Sequence, residues 1–268
     1  TGTDRRFLNP FISCMSCGAR YTIIEELPYD RHNTTMRDFD MCPACREEYT
    51  SPRNRRFHAQ TISCNDCGPY LIFNDLTGGS ELTEKDAFHA AANIIESGGI
   101  IAVKGIGGYH FACSPFLEDT VLRLRELKGR EAKPFAIMFE SVDSIRKYCV
   151  VSEKEEELLK SKARPIVLLY LKNNSMAPSA CQGSIYCGAF LPYTPLHMLL
   201  VKRCGPLIMT SANISDKPII KDDSEMLSLK SPLLNGVLYN KRRIVRSVDD
   251  SVAKVVANSP QLIRRSRG

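Results

Sequence analysis

Two regions of the chain differ in how apolar and polar positions are arranged. The first, to about Pro69, is rich in Cys, Arg, Asn and Pro and has few long apolar runs. Such a segment buries too little apolar surface to fold alone, which predicts a loop-rich module stabilised by metal. A turn-like linker, Thr-Gly-Gly-Ser at 77–80, follows it. The pattern predicts a small module at 1–75 and a larger domain at 80–268.

Helical spacing marks three segments of the larger region. The residues at 83–86, Thr-Glu-Lys-Asp, predict a capping box that opens a helix. The apolar side of that helix is predicted to carry Ala87, Phe88, Ala91, Ile94 and Ile95. A second helix is predicted near 118–128. Ser152 is predicted to cap a third, whose glutamates suit the positive end of the helix dipole.

Short apolar runs between these helices predict strands. One follows the Ser-Gly-Gly stop at 97–99, and others begin near Pro134, Pro165, Pro206 and Gly236. Strands that alternate with helices are typical of an α/β (α+β) domain. We therefore expect a mixed sheet with helices packed on it.

Composition and the distribution of apolar residues indicate where the protein is expected to be located. The 268 residues have the apolar and charged fractions of an ordinary globular protein. The sequence contains no run of about 18 apolar residues, so no membrane span and no membrane partner are expected. The N-terminal residues have no apolar segment typical of a secretory signal, so a cytoplasmic location is predicted.

Positive charge is clustered, although the net charge is only +6. Basic runs begin at Pro52, Arg123, Lys241 and Arg264. Clustered Lys and Arg attract the phosphates of a nucleotide or of a nucleic-acid backbone, whereas any single run is also explained as a solvated surface. Charge alone does not choose between ATP and RNA.

Cysteine spacing is the sharpest signal of specific chemistry. Six of the eleven cysteines fall in the first 67 residues, all in Cys-x-x-Cys pairs. The pairs at Cys42/Cys45 and Cys64/Cys67 are separated by 18 residues. Two such pairs complete a tetrahedral sulfur shell around zinc and leave no open position for catalysis. The sequence therefore predicts a structural zinc site.

The remaining pair, Cys14 and Cys17, has no second pair to complete its site. We interpret it as a zinc half-site whose other ligands come from an upstream segment or another chain. A free pair, a labile disulfide and ligation by His32 or His58 are the alternatives.

The sequence around these cysteine pairs resembles that of a known family. The stretches are PFISCMSCGARYTIIEELPYDRHNTTM and FDMCPACREEYTSPRNRRFHAQTISCNDCGPYL. They resemble the zinc-finger region of the HypF family of hydrogenase-maturation carbamoyltransferases. The likeness continues through KGIGGYHFAC, LRELKGREAKPFAIM, RPIVLL, LPYTPLHMLL, MTSANIS, VDDSV and RRSRG. It covers essentially the whole chain.

The resemblance implies a division of labour between domains. In this family an acylphosphatase-like domain releases carbamate, and a YrdC-like domain with a twisted mixed sheet joins carbamate to AMP from ATP. A Kae1-like domain passes the carbamoyl group to the partner HypE. No acylphosphatase or Kae1-like domain is recognisable here, and the first finger looks truncated because the family carries a further Cys pair upstream. The implied activity is carbamoyl-adenylate formation, with zinc, ATP and magnesium as cofactors.

Four residues are the candidates for the adenylation chemistry itself. Carbamate attack on the α-phosphorus of ATP requires positive charge on the phosphates. Lys128 and Arg130 follow a predicted helix and supply two cations. Ser211 and Asn213 follow a predicted strand and supply polar donors. This Lys-x-Arg and Ser-x-Asn pattern resembles the signature of YrdC and Sua5 proteins.

Further nucleotide-binding candidates lie near glycines and carboxylates. Lys104 precedes a glycine-rich turn at 105–108, which permits close backbone approach to a ligand or forms only a tight turn. His110 is a candidate donor to the acyl oxygen, with a packing role as the alternative. Lys133 is another cation. The last three candidates are Arg246, for the phosphates, and Asp249 and Asp250, for magnesium, with an Arg–Asp network as the alternative.

Two other functions remain open at this stage. A threonylcarbamoyl-adenylate synthase for tRNA modification shares the Lys-x-Arg and Ser-x-Asn pattern but lacks the zinc stretch. A zinc-ribbon protein that binds RNA would present exposed aromatic residues among its basic residues, and the run from Pro52 offers only Phe57.

Overall fold

An eleven-stranded mixed sheet runs through the described part of the chain, residues 2–13, 18–172, 175–213 and 217–268 of a computed structural model. The strands are β1 Ile72–Asp75, β2 Glu81–Thr83, β3 Ile101–Lys104, β4 Tyr109–Cys113, β5 Ala136–Met138, β6 Ile166–Tyr170, β7 Tyr186–Phe190, β8 Leu207–Ser211, β9 Gly236–Tyr239, β10 Val252–Val256 and β11 Ser259–Arg264. Their order across the sheet is β11-β10-β6-β7-β5-β8-β4-β3-β9-β1-β2.

The sheet contains both parallel and antiparallel pairs. The pairs β3–β9, β5–β7 and β6–β10 are parallel, and the other seven pairs are antiparallel. The mixed sheet predicted from the sequence is therefore confirmed. Within the three-strand unit β3–β4–β8, the register places His110 directly opposite Ser211.

Eight α-helices accompany the sheet in the described residues. They are α1 Pro43–Thr50, α2 Glu84–Glu96, α3 Glu118–Lys128, α4 Val142–Arg146, α5 Glu153–Lys160, α6 Pro178–Cys181, α7 Pro195–Cys204 and α8 Asp223–Ser228. None of the helices in this part of the chain has the length and apolar character that crossing a membrane requires.

The predicted helix near 118–128 is confirmed with its bounds unchanged. Val121 and Leu124 are fully buried on its inner side. The helix ends at Gly129, whose φ of +58° places it in the left-handed region that glycine adopts without strain. The turn at Gly129 lets the chain reverse immediately after Lys128, so that Arg130 lies beside the same helix end.

The capping box predicted at 83–86 is wrong, although the helix it was to open is present. Thr83 occupies the N-cap position but its side chain accepts no capping hydrogen bond. The reason is that Thr83 is also the last residue of β2, paired with Ile72. Strand pairing fixes the backbone there, and Glu84 turns into the helix with a φ of +52°.

The cap predicted at Ser152 is confirmed and is more complete than expected. Its hydroxyl accepts from the backbone N–H of Glu155, and the Glu155 carboxylate accepts from the N–H of Ser152. The strands predicted near Pro134, Pro165, Pro206 and Gly236 are present as β5, β6, β8 and β9. The strand predicted after residues 97–99 is present as β3, whereas β1, β2, β4, β7, β10 and β11 were not predicted. Strands β4 and β7 follow glycine-rich or polar segments and have no long apolar run.

Each face of the sheet buries its own apolar cluster. One cluster contains Tyr109, Phe111, Phe135 and Phe139 and packs under α3. The other contains Ile101, Val103 and Met209 and packs under α2 and α7. Phe11, from the N-terminal region, belongs to this second cluster.

The N-terminal region docks on the large sheet through polar contacts as well. Arg243 forms an ion pair with Asp38 at 2.9 Å, and the N–H of Val245 donates to the carbonyl of Thr22 at 2.7 Å. The strand β1, which lies within residues 1–75, pairs with β9 of the larger region. The boundaries at 1–75 and 80–268 stay predictions.

The glycine-rich turn between β3 and β4 lies against another loop of the protein. The N–H of Gly105 donates to the carbonyl of Gly108 at 2.8 Å, which closes the turn. A Cβ on Gly107 would lie 2.2 Å from the carbonyl oxygen of Val248, whose N–H donates to Gly107 at 3.0 Å. Gly107 therefore permits close approach of protein backbone.

Replacing Gly107 with alanine tests this packing. We expect Gly107→Ala to lower the free energy of unfolding by about 1–3 kcal/mol, because the new methyl group overlaps a backbone carbonyl that cannot move freely. Gly2→Ala is the control, since a Cβ there meets nothing within 4 Å. Equal denaturant midpoints for the two variants would contradict the packing described.

Candidate functional site

Four cysteine thiols converge in the N-terminal region. The sulfurs of Cys42, Cys45, Cys64 and Cys67 all lie within 4.8 Å of one another. The Cys42–Cys64 and Cys64–Cys67 sulfur distances are 3.8 and 3.7 Å. A tetrahedral zinc ion with Zn–S bonds of about 2.3 Å requires sulfur separations of about 3.8 Å. The donor set therefore fits a closed structural zinc site, as the sequence predicted.

A second layer of charge surrounds these sulfurs. Arg5 and Arg6 each donate to the sulfur of Cys45 at 3.3 Å, and both form ion pairs with Glu48. Burial alone would raise the pKa of Glu48, but the two guanidinium groups lower it to about 2. The backbone N–H of Cys45 lowers the pKa of the Cys42 thiol to about 7. Burial raises the pKa of the Cys45 thiol, and the hydrogen bond from Arg5 opposes that rise. The donors at Cys42 and Cys45 therefore favour the thiolate, which is the form that binds zinc.

The small core around the cluster explains why a metal is needed. Among the described residues, the buried apolar cluster there consists of Cys45, Cys64, Ala59 and Ile62. The other predicted pair, Cys14 and Cys17, lies outside the described residues, so the half-site stays a prediction.

Removal of one ligand tests the zinc assignment. We expect Cys64→Ala to lose the zinc held by this cluster and to unfold residues 41–68, because so small a core cannot replace the metal. Elemental analysis and amide hydrogen exchange measure the two effects. Cys204→Ala, a half-buried cysteine far along the chain, should keep both zinc and protection. Full zinc content in Cys64→Ala would rule out a role for this thiol in holding the metal.

Three of the four predicted adenylation residues form one hydrogen-bonded cluster. The ammonium group of Lys128 donates to the carbonyl of Ser211, and to the carbonyl and side-chain oxygens of Asn213 at 3.0 and 2.9 Å. The hydroxyl of Ser211 donates to the side-chain oxygen of Asn213 at 2.7 Å. The end of α3 is thereby joined to the end of β8.

The surroundings of Lys128 disfavour its charged form. Burial and, to a smaller extent, the neighbouring charge of Arg130 together lower the pKa of Lys128 to about 8. All three ammonium protons are engaged by protein oxygens, so Lys128 fixes the turn at 211–213 as well as contributing charge.

Arg130 lies beside this cluster, on the loop that follows α3. Its guanidinium donates to the carbonyls of Lys133 and Pro134 at 3.2 and 2.6 Å and approaches the hydroxyl of Thr210 at 3.5 Å. Lys133 itself is exposed on the same loop.

Arg125 is a site residue that the sequence analysis missed. It is buried, and its guanidinium donates to the carbonyls of Arg130, Lys133 and Ser179 at 3.1, 3.3 and 2.8 Å. These bonds shape the loop that carries Arg130. Its place on the inner side of a helix, one turn before Lys128, is the signal that could have revealed it, because an arginine is rarely buried without such partners.

Lys104 occupies a separate buried position at the end of β3. Its ammonium group pairs with Asp223 and donates to the carbonyl of Asn240 at 2.8 Å. The hydroxyl of Tyr109 donates to the same Asp223 carboxylate at 2.7 Å. Burial lowers the pKa of Lys104 and raises the pKa of Tyr109.

His110 and Asp250 form a third polar group. The His110 Nε2 lies 3.4 Å from an oxygen of Asp250, and Arg267 pairs with the other oxygen at 2.8 Å. Burial would raise the pKa of Asp250, but His110 and Arg267 outweigh it and hold the pKa below its usual range. The neighbouring Asp249 pairs with Arg264 at 2.9 Å.

Arg246 contacts the N-terminal region. Its guanidinium donates to the carbonyl of Ile24 at 2.5 Å and lies 5.5 Å from the ring of Tyr21. The structure thus brings Lys128, Arg130, Ser211 and Asn213 together, with His110 opposite Ser211 across the β4–β8 pair. The nucleotide-binding roles of all these residues stay predictions.

Comparison with known proteins identifies two matching family models. The Sua5/YciO/YrdC model, described as telomere recombination, matches residues 93–266. A model described as the HypF finger matches residues 1–24 and 41–73, which include the four-cysteine cluster.

Individual relatives agree with these models. The chain is 44% identical to a carbamoyltransferase HypF of Rhodobacter capsulatus over 100% of this chain and 35% of that protein. A crystal structure of full-length HypF in a phosphate- and nucleotide-bound form superposes with a TM-score of 0.94 at 43% identity, covering 100% of this chain and 35% of that one. A threonylcarbamoyl-AMP synthase of Rattus norvegicus is 28% identical over 49% of this chain and 48% of its own length.

The first two relatives are similar along the whole of this chain, and the chain spans about 35% of their length. The third is similar to only half of it. The chain belongs to the Sua5/YciO/YrdC family, in the form that carries a HypF finger.

Proposed function

We propose that this chain forms carbamoyl-adenylate from carbamate and ATP, with release of pyrophosphate. The observation that carries the proposal is the cluster of Lys128, Ser211 and Asn213 with Arg130 alongside. An acyl-adenylate reaction needs fixed cations and hydrogen-bond donors where charge develops on the phosphates, and this cluster supplies both.

Each residue of the cluster has a role that follows from its contacts. Arg130 is only partly enclosed by backbone oxygens, so its guanidinium can contact a phosphate directly. Lys128 fixes the turn at 211–213 through hydrogen bonds and places a positive charge next to that turn. The hydroxyl of Ser211 can rotate from Asn213 to donate to an incoming phosphate oxygen. Arg125 positions Arg130 through the loop backbone.

Magnesium belongs to the same proposal, since a divalent ion bridges the phosphates in most ATP-dependent transfers. Asp249 and Asp250 are the carboxylates we propose for it. Their present partners are Arg264 and Arg267. A bound ion would therefore draw these carboxylates partly away from arginine.

The wider role that we propose is hydrogenase maturation. The similarity to carbamoyltransferases named HypF supports it, and zinc would serve the finger as a structural ion. In this role the carbamoyl group passes later to a HypE-like acceptor protein, by way of a longer polypeptide. We place the reaction in the cytoplasm, where ATP is available.

Threonylcarbamoyl-adenylate synthesis is the second candidate. The similarity of half the chain to a threonylcarbamoyl-AMP synthase favours it. The two reactions share the attack on ATP and differ in the acyl group, so one assay distinguishes them.

Exchange of labelled pyrophosphate into ATP measures the first reaction directly. We expect exchange with ammonium bicarbonate as the source of carbamate and no further gain with threonine. Ser211→Ala should reduce the exchange by about 10–1000-fold, because one phosphate-binding donor is lost from the transition state. Ser228→Ala, on α8, is the matched control and should exchange normally.

Three outcomes would count against the proposal. Exchange that requires threonine would move the activity to the second candidate. Equal exchange by the Ser211 and Ser228 variants would remove the cluster from the chemistry. If the zinc-loaded protein catalysed no pyrophosphate exchange with either acyl source, this chain by itself would not be an adenylating enzyme.

The pH dependence gives an independent test of Lys128. Its pKa of about 8 means that the ammonium group is charged below this pH and loses its proton above it. We expect kcat/KM for ATP to fall as pH rises through about 8. In Lys128→Arg the decline should move to a much higher pH, since guanidinium stays protonated. An unchanged profile in this variant would exclude Lys128 as the titrating group.

A further inference from the structure

The glycine turn at 105–108, which joins β3 to β4, contains a single side chain. Gly105, Gly107 and Gly108 have none, so Ile106 is the one residue of the turn whose side chain can pack. Glycine has more backbone freedom than any other residue, and three glycines in four positions leave a turn loose unless other contacts hold it. The position of this turn therefore depends on what Ile106 contacts.

Ile106 packs against a small apolar cluster of the N-terminal region. The buried members of this cluster are Ala19, Ile23 and Met36, and Phe39 packs against them as well. Met36 is completely buried and Ile23 nearly so. All four residues lie within residues 18–39, which we call the bridging segment. The one side chain of the glycine turn thus contacts a part of the chain far away in sequence.

The bridging segment is fixed on the side of the cysteine cluster by a buried arginine. The guanidinium of Arg31 donates to the carbonyls of Gln60 and Ile62 at 3.0 and 2.9 Å. Ile62 lies two residues before Cys64, one of the four clustered thiols. Arg31 is buried, and such a residue keeps its backbone acceptors in place because its charge needs them.

The same segment is fixed on the side of the sheet domain by ion pairs and a backbone hydrogen bond. Arg243 pairs with both Glu25 and Asp38 at 2.9 Å. The N–H of Val245 donates to the carbonyl of Thr22 at 2.7 Å. The apolar surface that receives Ile106 is therefore held by contacts that do not involve the glycine turn.

The glycine turn also borders the cleft between the N-terminal region and the sheet domain. Gly105, Ile106 and Val248 are part of the cleft wall. Strand β4 begins directly after the turn and carries His110 opposite Ser211. The turn thus lies between the bridging segment and the strand that faces the proposed adenylation cluster.

We infer that Ile106 is a positioning residue of the adenylation site, through which the bridging segment fixes the glycine turn. The inference rests on the proposed adenylation function. With Ile106 packed, the turn has its shape before a nucleotide arrives, so binding requires little further ordering. Without this packing the three glycines adopt other conformations, and the nucleotide has to order them. The N-terminal region thereby contributes to the reaction without touching the reacting atoms.

Pyrophosphate exchange by zinc-loaded variants tests the inference. We expect Ile106→Ala to raise KM for ATP about 10-fold with kcat nearly unchanged, because a smaller fraction of the protein has the turn in its binding conformation. Met36→Ala should have the same effect, although Met36 is not among the described residues of the cleft wall. Ile106→Val, which keeps most of the apolar contact, should stay within about 2-fold of the wild type.

The matched control is Ile185→Ala in the sheet domain. Ile185 is 63% exposed and lies outside the described part of the cleft wall, so this variant should keep the wild-type KM and kcat.

Amide hydrogen exchange without nucleotide provides a readout that a purely structural role would not reproduce. The N–H groups of Gly105 and Val248 donate to carbonyls of the glycine turn. Both should exchange about 10-fold faster in Ile106→Ala and in Met36→Ala, because the turn opens more often. The amides of β6, which is not adjacent to β3 or β4 in the sheet, should keep wild-type protection.

Three results would overturn the inference. Wild-type KM and protection in Ile106→Ala would mean that its packing does not position the turn. Loss of protection in β6 as well would make Ile106 a general structural residue. A raised KM in Ile106→Ala that Met36→Ala does not share would separate the effect from the bridging segment. If the wild type catalysed no exchange, the adenylation proposal would fail, whereas the amide comparison would still decide whether the bridging segment holds the turn.

Discussion

Burial of positive charge is the constraint on which this structure depends. Four cations of the sheet domain, Lys104, Arg125, Lys128 and Arg267, are removed from water beside strand ends or helix ends. Because a buried charge is tolerated only with oxygen partners, each of them fixes the backbone or carboxylate that it contacts. The loop after α3, the turn at 211–213 and the start of β10 therefore have defined shapes before any ligand arrives. Such fixed polar groups are what stabilisation of developing phosphate charge requires.

In the cysteine cluster the charge that needs partners is negative rather than positive. Four thiolates around zinc would leave excess negative charge, and Arg5 and Arg6 lie within hydrogen-bond reach of Cys45 to balance it. Apolar burial around the cluster is slight, so metal and charge replace a core there. The region gains additional stability from Phe11, which packs into a core cluster of the sheet domain.

The sequence was informative where one local rule decides the structure. The bounds of α3, the cap at Ser152 and the four-cysteine cluster follow from periodicity, capping chemistry and ligand spacing. The capping box at 83–86 failed because long-range pairing of Thr83 with Ile72 outweighed a local preference. Arg125 was overlooked for a related reason. Arg125 donates hydrogen bonds to carbonyls far along the chain, such as that of Ser179, and no local sequence pattern reveals such contacts.

The segment at 240–250 links the parts that the chemistry would use. Arg243 and Val245 join it to the N-terminal region, and Val248 hydrogen-bonds the glycine turn at Gly107. Two residues later, Asp250 reaches His110, which lies opposite Ser211 in the β4–β8 pair. These contacts connect the N-terminal region, through the segment at 240–250, to the residues beside the proposed adenylation cluster. A metal in the four-cysteine cluster, which leaves no open coordination position, would therefore stabilise a region that is in contact with this segment.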